Sequence, residues 1–338
     1  MQTTSKTETE ITSTLTATEQ AYVDSYLTQY GADAILHYLK AESKGKDEGI
    51  ILKNIEYLVA KGAEINTKDS DGTTPLHWAS ENRNSELVQF LISNGGDVNA
   101  RSNEGYSPLH CAVASWVAVL PFGNTKKGEY ESLRERTIDS IKSLISKGAD
   151  VNAKSDYDET PLMFAAASFS LEATELLVSC GADVNAKDKE GTTPLYYAME
   201  WHQSPFTNYD IIEFLVSKGA DVNAKKGNGM TPLLYAMSPS FPSVYKEDND
   251  IIWLFLTNGA DVNAQGSHGE TPLHNVACWP SYCYPASDCV ETAKCLVSEG
   301  ADVNAKDREG KTPLDRATES GNSAMAEYIS EHVCKNAK

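Results

Sequence analysis

One pair of phrases, interlocked seven times, decides more about this chain than any bulk property. The first reads KGAEIN at 61–66 and returns as NGGDVNA (94–100), KGADVNA (147–153), CGADVNA (180–186), KGADVNA (218–224), NGADVNA (258–264) and EGADVNA (299–305). The second follows each time: GTTPLHWA (72–79), GYSPLHCA (105–112), DETPLMFA (158–165), GTTPLYYA (191–198), GMTPLLYA (229–236), GETPLHNV (269–276) and GKTPLDRA (310–317). Self-similarity at a period of tens of residues marks a stacked array, in which no unit buries its own apolar face and neighbours complete a shared core. At 338 residues the chain is long for one globular core and ordinary for such an array.

Each position in the phrases has a physical reading. Thr74 and Ser107 are helix caps, each followed by a proline (Pro75, Pro108) at the first helical position, where a missing N–H costs nothing. Leu76 and Ala79 begin the buried stripe of a first helix, alanine allowing close approach of the neighbour. A second helix follows, as in Ser85–Asn94 or Leu171–Cys180, and a glycine such as Gly95 or Gly181 stops it. The Asp-Val-Asn-Ala segment turns the chain into a loop whose tip needs positive φ at Gly72, Gly105, Gly191, Gly229, Gly269 and Gly310. Asp158 replaces that glycine once, and aspartate tolerates the left-handed region better than most side chains.

These residues resemble the ankyrin repeat family, whose 33-residue unit carries a T-P-L-H-x-A signature. The resemblance covers about residues 32–335 and implies an all-α solenoid of stacked helix pairs with protruding β-turn loops, capped at both ends. On this reading, residues 1–20 are a disordered Thr-rich lead-in. Residues 21–66 are an N-terminal helical cap, with helices over 32–42 and 50–60. Residues 67–338 hold seven signature repeats, the last acting as a cap with Met325, Tyr328 and Ile329 on one face.

The phrase prolines are spaced by 33, 53, 33, 38, 40 and 41 residues, so four units exceed the period. Both phrases stay intact around the extra residues, which places inserts between first and second helices near 116–136, 201–209, 238–249 and 279–288. Every insert holds proline and aromatics. Trp201, Phe206, Tyr209, Phe241, Tyr245, Trp279, Tyr282 and Tyr284 form either an aromatic rim for recognition or a shield packed over the lengthened helix ends. In and beside the last insert stand His274, Cys278, Cys283 and Cys289, a weak candidate for tetrahedral zinc, with a disulfide between two of the three cysteines, or free thiols, as the other options. Against zinc, the resemblance gives His274 a structural hydrogen bond to the adjoining loop, as for His77 and His110.

The formal charge of −19 opposes attachment to nucleic acid or to anionic membranes and favours a basic partner or plain solubility. No long apolar run or secretory h-region is visible, which points to a cytoplasmic protein. Phosphate loops, nucleophile elbows and zinc-protease motifs are missing from the sequence. The resulting expectation is a monomeric, non-catalytic protein-binding scaffold without cofactors. Its alternatives are a metal- or redox-responsive module, or a regulatory or inhibitory subunit of an enzyme. The family's variable positions fall on Ser70, Asp71 and Thr73; Asn103, Glu104 and Tyr106; Asp156, Tyr157 and Glu159; Lys189, Glu190 and Thr192; Asn228 and Met230; Ser267, His268 and Glu270. By resemblance these line a concave binding face of loop tips and first helices, with Tyr106, Tyr157 and Met230 as exposed apolar anchors.

Overall fold

The computed structural model describes residues 15–42, 47–115, 127–168, 170–200, 209–238, 248–279 and 286–336. Among them every regular element is helical. The chain divides into two compact units, Met1–Ala182 and Asp183–Lys338.

The first unit opens with α1 (Ala17–Tyr30), a 3-10 turn at Gly31–Asp33, α2 (Ala34–Glu42) and α3 (Glu48–Ala60). Three helix pairs follow: α4 (Pro75–Glu81) with α5 (Ser85–Ser93), α6 (Pro108–Ala114) with α7 (Lys127–Ser146), and α8 (Pro161–Ala167) with α9 (Leu171–Ser179). First helices stack on first helices, α4 on α6 on α8, and second on second, α5 on α7 on α9. The second unit repeats the scheme with α10 (Pro194–Glu200) and α11 (Tyr209–Ser217), α12 (Pro232–Ala236) and α13 (Asp248–Thr257), α14 (Pro272–Ala277) and α15 (Ala286–Ser298), and α16 (Pro313–Glu319) and α17 (Ser323–Asn336).

The N-terminal cap starts earlier than the sequence implies. Thr16 and Glu19 form a reciprocal capping box, so residues 17–20, expected in the lead-in, are helical. Val23 of α1 is fully buried, and the Tyr57 hydroxyl donates to Asp24, tying α3 to α1. The inserts also shorten: α7 begins at Lys127, α13 at Asp248 and α15 at Ala286, so the ends of three inserts lengthen the second helices. At the other end Met325 and Ile329 are buried and Tyr328 is half-buried, matching the expected cap face.

Two polar devices join repeat to repeat. Histidines at the fourth place of the T-P-L-H phrase face both ways. The Thr74 N–H donates to His77 Nδ1 at 3.1 Å, which fixes the proton on Nε2, and Nε2 donates to the Tyr106 carbonyl at 3.0 Å. His110 does the same between Ser107 and the Glu159 carbonyl, and His274 between Thr271 and the Lys311 carbonyl. Tyr196 substitutes for histidine in the fourth repeat, its hydroxyl lying 3.0 Å from the Ala224 carbonyl and 2.5 Å from that of Met230.

The second device is a ladder of asparagines. Asn99 Nδ2 donates to the Gly148 carbonyl at 2.9 Å, and its Oδ1 accepts from the Asp150 N–H at 2.8 Å, so one side chain bridges two successive Asp-Val-Asn segments. Asn66, Asn185, Asn223 and Asn263 make the same pair of bonds. Asn304 makes no such bridge among the described residues; only its backbone is held, by Asp302. Asn99→Ala is therefore expected to cost about 1–2 kcal/mol. Asn304→Ala should stay within about 0.5 kcal/mol. Equal effects in urea titrations would refute the ladder's role.

Candidate protein-binding face

In the first unit the tips and first helices bring Asn103, Glu104, Tyr106, Asp156, Tyr157 and Glu159 together. The tips are joined through backbone: the Asn103 N–H donates to the Asp71 carbonyl and the Asp156 N–H to that of Glu104, each at 2.8 Å. Asn103 also spends its side chain on the Ser70 carbonyl, and Asp156 pairs with Arg101 at 3.1 Å. Such exposed pairs contribute little stability, so the tips remain an accessible polar rim.

Behind this rim sits an aromatic cluster. Tyr106, His110 and Phe164 meet edge to face with ring centroids 5.7–5.9 Å apart. The Tyr106 hydroxyl donates to Glu159 Oε2 at 2.8 Å, and burial followed by that carboxylate raises its pKa. Tyr106 is thus half-buried and braced, not the free anchor expected from the sequence. Tyr157 is the group that stands out, 52% exposed at the tip beside Asp158. Asp158 has φ +61°, the left-handed conformation its place in the phrase requires.

The cluster opens on a cavity of about 590 Å³, whose wall includes Arg83, Tyr106, Cys111, Ala114, Ser115 and Phe164. Burial pushes the Cys111 thiol up to about 12, leaving it protonated and unreactive. Arg83, in the turn between α4 and α5, was not singled out by the sequence. Its backbone lies at φ +57°, which costs a non-glycine residue about 1 kcal/mol. Nothing in the residue type predicts that conformation, because Asn82 and Asn84 beside it are better suited.

In the second unit the expected positions divide differently. Lys189, Glu190, Asn228 and His268 are exposed, whereas Met230, Ser267 and Glu270 are half-buried. Thr192 is buried, its N–H donating to Asp188 at 2.8 Å, so it offers nothing to a partner. Glu270 turns back to accept from the His268 N–H at 2.7 Å. Lys226 lies over the rings of Tyr196 and Tyr235 at 5.1 and 5.7 Å.

At the inserts, Trp279 takes the packing alternative and leaves the set of partner-binding candidates: it is 4% exposed and donates its indole N–H to the Met237 carbonyl at 2.9 Å. It packs as core. The metal quartet fails at His274, since both ring nitrogens already serve Thr271 and Lys311 and neither is left for a cation. Cys278 is a half-buried thiol, while Cys289 and Cys295 are buried. Among the described residues no group of three or more metal-ligating side chains occurs. Tyr209 is half-buried at the start of α11. Trp201, Phe206, Phe241, Tyr245, Tyr282, Cys283 and Tyr284 lie outside the described residues.

The family model for ankyrin repeats matches this chain in three copies, over residues 47–119, 132–226 and 241–338, which is most of its length. The chain belongs to the ankyrin-repeat family. Its all-α stacked pairs are the ankyrin solenoid fold. Similar curated proteins are two forms of Ankyrin repeat protein OPG189 from Variola virus, one from a human isolate from India; each is 29% identical over 141 residues. That alignment takes in 41% of this chain and 21% of the relative, so the chain spans about a fifth of the length of the curated relatives it matches. Ankyrin repeats serve protein–protein interaction as a rule and are typically non-catalytic. Among the described residues of this ankyrin-repeat protein, no helix is long and apolar enough to cross a membrane.

Proposed function

We propose that this ankyrin-repeat chain is a non-catalytic binding module that holds a protein partner on the tip and first-helix face of its first unit. One observation carries the reading: an exposed tip aromatic, Tyr157, lies two residues before Glu159, whose carboxylate braces Tyr106 in a half-buried aromatic cluster that opens on a cavity large enough for partner side chains. The backbone-to-backbone bonds between tips hold this face in place before binding, so little ordering entropy is lost on association. The exposed tips carry Glu104 and Asp156, and with a chain charge of −19 they favour basic groups at the partner's periphery.

The test is capture of a partner identified by mass spectrometry, compared between the native chain and a Tyr157→Ala, Phe164→Ser variant. Affinity is expected to fall by about tenfold or more, with the helical circular dichroism signal retained. Lys218→Ala, just past the end of α11 and with its side chain over Phe214, serves as the control and should bind as the native chain does. Undiminished capture by the double variant would reject this face.

A further inference from the structure

We infer that the cavity beside Tyr106 and Phe164 takes an acidic side chain of a partner segment, with Arg83 as the group that receives its carboxylate. This rests on the proposed binding role of the first unit's face and adds the chemistry of its anchor.

Three observations meet at Arg83. The first is conformational. The turn Ala79–Ser85 has a counterpart at Ala317–Ser323, with the same backbone bonds: Asn84 N–H to the Ala79 carbonyl and Ser85 N–H to that of Arg83, against Asn322 to Ala317 and Ser323 to Gly321. At the matching place the second unit has Gly321 at φ +72°, the residue this backbone prefers, whereas the first unit holds an arginine at φ +57°. A strained arginine where glycine folds more easily marks a side chain retained for what it does.

The second observation is an unmet donor. Arg83 Nη1 donates to the Ser115 carbonyl at 2.6 Å, but Nε is buried and has no acceptor among the described residues. With Nη1 held by Ser115, the edge that contains Nε has no acceptor among the described residues, and a carboxylate is the group that accepts from both nitrogens of such an edge. Glu81, also on the cavity wall, does not supply it: its side chain is exposed and forms no ion pair with Arg83 among the described residues.

The third is the local field. Burial lowers the Arg83 pKa, and so does the nearby Arg136, whereas Glu48 raises it. Glu48 is already engaged by Arg136. In a chain of net charge −19, this leaves a half-buried cation beside a second one, and an entering anion relieves their repulsion. The remaining wall, Tyr106, Ala114 and Phe164, fits an apolar side chain next to the acidic one. The cavity thus differs from the acidic tips in holding a half-buried cation, Arg83, beside the exposed Glu81, and a partner group that is merely basic finds no acceptor at Arg83.

Full-length protein would be titrated, by nuclear magnetic resonance of arginine Nε–H groups, with acetyl-phenylalanyl-glutamate amide, its glutamine counterpart and its lysine counterpart. The glutamate probe is expected to bind about tenfold or more tighter than the other two and to shift the Arg83 signal. Arg83→Gly should erase that preference while melting close to the native chain, because relief of the positive φ offsets loss of the bond to Ser115. Arg83→Lys, which keeps the charge but loses the planar edge, should lose most of the preference too. Equal binding of the three probes, preference for the lysine probe, no binding of any, or full preference in Arg83→Gly would each overturn the inference. Failure here with capture still dependent on Tyr157 and Phe164 would leave the proposed function standing. Glutamate preference with capture indifferent to those residues would do the reverse.

Discussion

Acidification from pH 6.5 to 4 is expected to remove about 3 kcal/mol of stability through His110 alone. Burial, opposed only in part by the Glu159 carbonyl and carboxylate, brings its pKa down to about 4, with Arg101 and His77 adding in the same direction as burial. In the unfolded chain the imidazole takes a proton near pH 6.5, while the folded chain refuses it until about 4. The unfolded state therefore binds more protons across that window. The contribution is complete above pH 6.5 and is lost as pH falls through it. His77 and His274 are lowered for the same first cause, burial, and act with the same sign. Carboxylates titrate in this range as well, so the informative quantity is a difference of slopes. His110→Leu, which copies the buried Leu234 at the equivalent place, should be less stable at pH 7 and show a shallower dependence of unfolding free energy on pH, by about one proton. An unchanged slope would show that His110 is not the acid-sensitive joint.

Gly105→Ala is expected to cost about 2–4 kcal/mol, far beyond the usual effect of one methyl group at a loop tip. The glycine has φ +79°, and a Cβ there would lie 2.8 Å from the backbone nitrogen of Asp156. That nitrogen donates to the Glu104 carbonyl, so the added methyl strains the turn and also pushes the next tip away. Gly310, at φ +75° with nothing within 4 Å of such a Cβ, separates the two effects. Its alanine variant should lose only the conformational part, about 1–2 kcal/mol. Asp158→Gly should go the other way and gain up to about 1 kcal/mol, since its Lys154 partner is an exposed pair at 3.6 Å. Thermal melts of the three variants check the order. A Gly105→Ala variant no worse than Gly310→Ala would disprove close tip packing.

The repeats were legible because their phrases encode local physics: a hydroxyl cap, a proline at the first helical turn, a glycine at positive φ. Asp158 was legible for the same reason. What escaped was whatever depends on a neighbour. The Asp-Val-Asn-Ala segment reads as a turn, and nothing within it shows that Asn99 reaches Gly148 and Asp150 in the following repeat. Trp279 reads as a loop aromatic until the Met237 carbonyl is placed at its indole N–H. The helix α1 was half missed because Thr16 to Tyr30 carries only Val23 as a fully buried position, too sparse a stripe to betray a period. At the proposed binding face, the tip positions come from the family pattern. The cavity was not, since it is assembled from three repeats and depends on a backbone turn at Arg83 that its residue type does not announce.

The long helix α7 runs for 20 residues, against 9 in α5 and α9 on either side of it. At its middle, Arg136 reaches past the first repeat to Glu48 on the cap helix α3. Arrays of this kind are normally treated as a row of units, each feeling only the next. Here one ion pair passes over a whole unit at the amino-terminal end, so cap and second repeat also touch directly. As a partly exposed pair it adds only about 0–1 kcal/mol, so its removal should speed hydrogen exchange in the cap slightly and leave the unit-by-unit order of opening in place.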